Sequence, residues 1–153
     1  MTPEERLERA GLPLSATHPV VANYAATVRT GSLLLVSGHG AFVDGKPAHT
    51  GKVGAEVTVE DGQKAAEAVM LNLLGTLKAE LGDLSRISRF VKLLVFVNST
   101  PEFAEHHLVA NGATDLLVKA FGELGRPTRS AVGMASLPFN FSVELEAMIE
   151  LRD

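Results

Sequence analysis

From Val143 to Leu151 the chain alternates without a break. Val143, Leu145, Ala147, Ile149 and Leu151 fall on one side, and Glu144, Glu146, Met148 and Glu150 on the other. A period of two marks a β-strand with one dry face and one polar face. Such a strand requires a sheet whose dry face is covered, and the chain carries a suitable cover. Thr58 is placed to cap a helix, with Glu60 and Asp61 in the first turn complementing its dipole. Val69, Leu73, Leu77 and Leu81 then step by four, with Ala66, Met70 and Leu74 beside them. The resulting stripe is about 20 Å long at the helical rise, and Gly82 supplies a left-handed stop.

The remaining elements follow from local chemistry. Thr2, Pro3 and Glu5 form a capping box for a short helix ending near Gly11-Leu12-Pro13, and a Pro-containing loop runs on to about Val20. Asn23 to Val28 and Leu33 to Ser37 read as strands around a turn at Arg29-Thr30-Gly31-Ser32. Asp44-Gly45 is a hairpin signal, predicting a minor strand at Lys46 to His49. Arg89 to Val97 reads as a central strand, a second helix runs from near Phe103 or Asn111 to Phe121, and Arg129 to Ala135 is a further strand. Each main helix has only one apolar stripe, so the simplest arrangement is an α+β domain: one mixed sheet with both helices on one face. The other sheet face is too apolar to meet solvent, which predicts an oligomer.

Composition narrows the function classes. Of 153 residues, 46% are hydrophobic and 21% charged, which describes a globular chain. A mean hydropathy of +0.17 fits apolar surface buried between subunits. A net charge of −4, with scattered basic residues and no acid–base histidine pair, argues against a nucleic-acid partner or RNA cleavage. The absence of cysteine excludes disulfides, thiolate metal sites and a thiol nucleophile. The charged stretch Thr2 to Arg9 has no signal-peptide core and no apolar run is long enough to span a bilayer, so the expectation is a soluble cytoplasmic protein.

Few constellations carry chemistry. No phosphate-binding glycine loop or GxSxG nucleophile is present. His106 and His107 are adjacent and so diverge on a helix, and Glu102 with His106 lacks a third ligand, so no metal is expected. His39, between Gly38 and Gly40 at a strand end, is placed either to touch a ligand or to serve the loop. The sharpest candidate is Arg129, at the mouth of an apolar strand. Guanidinium grips a carboxylate through two parallel hydrogen bonds, and the carboxylates of the last strand are its natural counterparts if another subunit covers them. The plain alternative is a surface arginine closing a loop.

Three segments bear a resemblance: Leu35-Val36-Ser37-Gly38, Arg126-Pro127-Thr128-Arg129-Ser130-Ala131-Val132 with Leu137-Pro138 behind it, and Val143-Glu144-Leu145-Glu146-Ala147. On these the chain resembles the RidA/YjgF family, the reactive-intermediate deaminases also labelled endoribonuclease L-PSP, over roughly residues 20–151. The resemblance implies a single domain over residues 1–153, with 1–19 as an N-terminal extension. It also implies a chorismate-mutase-like subunit in a homotrimer, with sites in the clefts between subunits. Arg129 would bind the substrate carboxylate and Glu144 would orient or activate water. Tyr24, Asn111, Ser37 and Gly38 match pocket positions, and Ala131 stands where many members carry cysteine. The implied reaction is cofactor-independent hydrolysis of 2-aminoacrylate- or 2-iminopropionate-type enamines and imines to 2-keto acids and ammonia. The alternative is a non-catalytic binder of small carboxylates such as 2-keto acids. The segment around Tyr24, Val21 to Thr27, and the stretch from Asn98 to Asn111 depart from the usual family pattern and mark a divergent branch.

Overall fold

The structure is a computed structural model that describes residues 1–14 and 19–153. The middle of the loop expected between Pro13 and Val20 lies outside the described residues. Helix α1 (Pro3–Arg9) opens the chain. Thr2 accepts from the Glu5 amide while the Glu5 carboxylate accepts from the Thr2 amide, closing the capping box. Strands β1 (Thr27–Thr30) and β2 (Leu33–His39) form a hairpin, and β3 (Phe42–Val43) and β4 (Lys46–Pro47) form a second, separate ribbon. Then follow α2 (Val59–Leu81), β5 (Ile87–Asn98), α3 (His106–Phe121), β6 (Thr128–Met134) and β7 (Val143–Leu151).

The main sheet has the order β1-β2-β7-β5-β6. Only β5 and β6 run parallel, because α3 is the crossover between them; the other pairs are antiparallel. Both long helices lie on one face. Leu93, Val95 and Val97 of β5 and Val143, Leu145 and Ile149 of β7 are buried against Val69, Leu73, Leu77, Leu116 and Leu117. Thr58 caps α2 by accepting from the Asp61 amide, and Gly82 ends it at φ 78°. The two helices approach closely at Gly112, where an added Cβ would stand 2.0 Å from the carbonyl oxygen of Gln63. No helix among the described residues is long and apolar enough to cross a membrane.

Three expectations need correction. The first strand starts at Thr27 rather than Asn23, and Arg29 and Thr30 continue its ladder. A turn of Gly31-Ser32 alone suffices because Gly31 adopts φ 60°. The strand expected at Lys46 to His49 stops at Pro47 and pairs only with β3, outside the main sheet, around Asp44 and Gly45 at φ 52° and 75°. Glu102 precedes the first residue of α3, so it has no helical spacing to His106. Among the described residues no group of three potential ligands is arranged to hold a metal ion.

Candidate functional site

Arg129 sits on the edge strand β6 in register with Leu93, and therefore faces the helices. Its guanidinium is held by a row of oxygens on α3. Nη1 donates to Asn111 Oδ1 at 2.9 Å and to Thr114 Oγ1 at 3.1 Å, and Nη2 donates to the His107 carbonyl at 3.0 Å. Positions 107, 111 and 114 share one helix face, so the helix presents three acceptors together. All are neutral. Burial lowers the pKa of Arg129, opposed by Asp115, but a guanidinium keeps its charge through such a shift. Of the five N–H donors, Nε–H and one Nη2–H have no partner among the described residues. Ala131 lies two residues further on the same face, beside Val95.

Glu144 occupies the opposite face. It pairs with Phe96 of β5, three residues from Leu93, so its side chain leaves the sheet on the side away from the helices. Gly38 makes room for it, since an added Cβ there would be 3.2 Å from both Cδ and Oε1 of Glu144. The carboxyl is half-buried and has no hydrogen-bond partner among the described residues. Burial raises its pKa, and the like charge of Glu146 raises it further. Glu144, Glu146, Tyr24, Ser37 and Gly38 share a cavity of about 580 Å³. Phe42, Phe96, Phe139 and Phe141 also line it, Phe96 beside Glu144 as its cross-strand partner. The Ser37 hydroxyl donates to the Ala25 carbonyl, which ties the Tyr24 segment to β2.

His39 belongs to neither group directly. One extra residue is inserted in β2 between Val36, opposite Ala147, and His39, opposite Leu145. This bulge turns Gly38 toward Glu144 and His39 toward α2. The His39 ring spans the Ser37 carbonyl, 2.7 Å from Nδ1, and Thr76 Oγ1, 2.8 Å from Nε2. A carbonyl only accepts, so Nδ1 carries the proton and Nε2 accepts from the Thr76 hydroxyl. Burial lowers its pKa, partly offset by the bond to Ser37. A cavity of about 50 Å³ between His39, Thr76, Asn72 and Tyr24 adjoins the larger one.

Within one chain, then, Tyr24, Ser37, Gly38 and Glu144 come together, and so do Arg129, Asn111 and Ala131, but on opposite faces of the sheet. The pairing of Arg129 with a last-strand carboxylate does not occur inside a single subunit. Sequence reasoning missed Thr114 and the His107 carbonyl as supports for Arg129; their one signal was spacing along α3 relative to Asn111. It also missed the phenylalanines that line the cavity, Phe42, Phe96, Phe139 and Phe141.

The sequence matches, over residues 4–151, the family described as "YjgF/chorismate_mutase-like, putative endoribonuclease". Protein TCP17 of Trypanosoma cruzi is 47% identical over 148 residues, covering 96% of this chain and 92% of that one. The crystal structure of Atu1372 from Agrobacterium tumefaciens, a protein of unknown function, superposes with a TM-score of 0.91 at 49% identity, covering 99% and 94% of the two chains. That of a "putative endoribonuclease" from Shewanella oneidensis gives 0.95 at 35% identity, covering 99% and 100%. Sequence and fold agree: the chain belongs to the RidA/YjgF (endoribonuclease L-PSP) family, with its chorismate-mutase-like fold.

Proposed function

We propose that this protein hydrolyses reactive imines or enamines of small 2-keto acids, without a cofactor, at a site completed by two copies of the chain. The observation that carries this reading is the guanidinium of Arg129, immobilised by three α3 oxygens with two adjacent donors left over. A planar fork fixed in this way is preorganised for a carboxylate. The half-buried Glu144 carboxyl on the other face is preorganised for a water proton, because its raised pKa makes it a better base than an exposed glutamate.

The two halves face apart, so a second subunit must bring Arg129 to the Glu144 cavity. β6 is an edge strand, and the uncovered sheet face exposes Val28, Leu35 and Val132. Both features fit a cyclic assembly with head-to-tail contacts, and a homotrimer accords with the family resemblance.

The reaction proceeds in two steps. Arg129 holds the substrate carboxylate and so fixes the neighbouring imine carbon. Glu144 accepts a proton from water as its oxygen bonds to that carbon, and the C=N pair moves to nitrogen, which takes up a proton. The carbinolamine hydroxyl then passes its proton to nitrogen as its oxygen forms the C=O bond and the C–N bond breaks, releasing ammonia and leaving the 2-keto acid; an enamine first takes a proton on carbon and loses one from nitrogen to become the imine. RNA is a poor fit, because the chain carries a net charge of −4 and its own lining of the cavity offers Glu144 and Glu146 but no Lys, Arg or His, so one neighbouring Arg129 offsets a single carboxylate but not a run of phosphates.

The test uses 2-iminopropionate generated from alanine by an amino-acid oxidase in the presence of semicarbazide. Wild-type protein should compete with the trap and Arg129→Ala should not. A wild type that leaves the trapping rate unchanged refutes the enzyme reading and leaves the carboxylate-binding one. Glu144→Gln separates the two in another way, since a binder keeps its ligand whereas the enzyme loses turnover more than affinity.

A further inference from the structure

We infer that Thr76 and His39 are positioning residues for Glu144: a buried hydrogen-bond path runs from α2 through the β2 bulge to Gly38, and holds the carboxyl where it takes a proton from water. The inference rests on the deaminase reading and adds two supporting residues to it. Every bond in the path lies within one chain, so no neighbouring subunit is needed to form it. α2 turns an apolar face to the sheet, yet two polar side chains, Asn72 and Thr76, lie among its buried residues at 5% and 8% exposure. Burying an amide and a hydroxyl is costly unless each is hydrogen-bonded. Their spacing of four puts both on one helical face, and that face meets the end of β2. The Thr76 hydroxyl donates to His39 Nε2 at 2.8 Å; its alternative acceptor, the Asn72 carbonyl, is further off at 3.4 Å. Asn72 Oδ1 accepts from the Phe42 amide at 3.3 Å. The segment from His39 to Phe42 is thereby tied to the helix at both ends.

His39 carries the constraint across the sheet. Its Nδ1–H donates to the Ser37 carbonyl at 2.7 Å, so both ring nitrogens are engaged. Ser37 is also held from the other side, where its amide donates to the Ala26 carbonyl and its hydroxyl to the Ala25 carbonyl. These ties matter because the ladder between β2 and β7 is broken here. Val36 pairs with Ala147 and His39 with Leu145, so Ser37 and Gly38 together oppose the single residue Glu146. An added Cβ at Gly38 would be only 3.2 Å from Cδ and Oε1 of Glu144, so the carboxyl rests against the Gly38 backbone. Without the Thr76 hydroxyl the buried Nε2 loses its donor. The ring then turns to find another, the Ser37 carbonyl loses its partner, and the support under the carboxyl shifts. A displacement of about 1 Å at a reacting group can cost about a hundredfold in rate. Arg129 is spared, because α3 holds it and β6 is separated from β2 by β7 and β5.

The test measures kcat and KM for the alanine-derived imine in wild type, Thr76→Val, Thr76→Ser, His39→Leu and His39→Gln. Valine keeps the shape of threonine without the hydroxyl, and serine keeps the hydroxyl. Glutamine can donate to Ser37 and accept from Thr76 as histidine does; leucine can do neither. Thr76→Val and His39→Leu should each lower kcat by about tenfold or more with KM within about twofold, whereas Thr76→Ser and His39→Gln should stay within about threefold of wild type. Because Thr76 acts through His39, adding Thr76→Val to His39→Leu should lower kcat no further. Apolar variants that melt lower but keep kcat show a path serving stability alone, and overturn the inference. An equal loss in the serine and glutamine variants, or an additive loss in the double variant, overturns it as well. Should Thr76→Val not fold, the two His39 variants are read in the same way. If wild type turns over no imine, the deaminase reading itself fails, and the carbon-13 signal of Glu144 Cδ, assigned by its loss in Glu144→Gln, decides whether the path reaches the carboxyl. A signal moved by Thr76→Val and not by Thr76→Ser supports the path; one unmoved by Thr76→Val, or moved equally by both, overturns it.

Discussion

Replacing Gly112 by alanine tests whether the contact between α2 and α3 is as close as described, and whether it positions Arg129. Helix propensity by itself predicts a gain, since alanine in a helix interior is better than glycine by about 1 kcal/mol. The geometry predicts the reverse. The new Cβ would lie 2.0 Å from the Gln63 oxygen and 2.8 Å from its carbonyl carbon, both backbone atoms that no rotamer change can remove. Restoring an ordinary contact near 3.4 Å requires the helices to part locally by about 1.4 Å. Overpacking of this kind costs about 1–3 kcal/mol, and the upper end applies where backbone opposes it. The net loss is then about 2 kcal/mol, or a Tm lower by about 4–8 °C for a domain of this size. The same displacement moves Asn111, next in the chain, and Thr114 and the His107 carbonyl on the same helix, so carboxylate affinity should fall as well. Thermal and urea melts, with keto-acid binding on the folded variant, read out both effects. A Gly112→Ala protein as stable as wild type, or more so, would refute the packing argument.

Three further outcomes follow from the site. Arg129→Lys should lower kcat/KM for imine hydrolysis by about a hundredfold, because a single ammonium cannot both engage the α3 oxygens and present a planar fork. Glu146→Gln should move the acid limb of the kcat–pH profile downward. The folded pKa of Glu144 lies above its ordinary 4.5, so the basic form appears only above that raised value, and removing a like charge lowers it. His39→Gln should flatten the pH dependence of stability. His39 has a folded pKa below its ordinary 6.5, so the unfolded chain binds the extra proton first. Wild-type stability is then fully present above pH 6.5 and falls as pH drops toward the folded pKa, by at most about 1.4 kcal/mol per pH unit. Denaturant melts at several pH values in this range measure the difference.

What was legible in the sequence was governed by neighbours along the chain. The capping box at Thr2, the Thr58 cap, the Gly82 stop and the alternation from Val143 to Leu151 each depend on residues within a few positions. What stayed hidden depends on register across strands. The bulge at Ser37 and Gly38 exists because β2 must match β7 on both sides of it, and only that match sends His39 to α2 and Gly38 to Glu144. Arg129 and Glu144 could be singled out by residue type, yet their opposite faces follow from pairing with Leu93 and Phe96, three positions apart on a strand that neither belongs to. The left-handed turn at Phe139 and Asn140, at φ 55° and 57°, is likewise held at Asn140 by Asn98, which accepts in turn from Lys52, both far away in the chain.

The most direct test of the shared site is to mix Arg129→Ala with Glu144→Gln, each inactive alone, by unfolding and refolding the two together in equal amounts. If Arg129 of one subunit serves Glu144 of the next, random assembly gives each interface an intact pair about one time in four, and about a quarter of wild-type imine hydrolysis returns. If both residues act within one chain, every subunit still carries a defect and the mixture stays inactive, which would contradict the account.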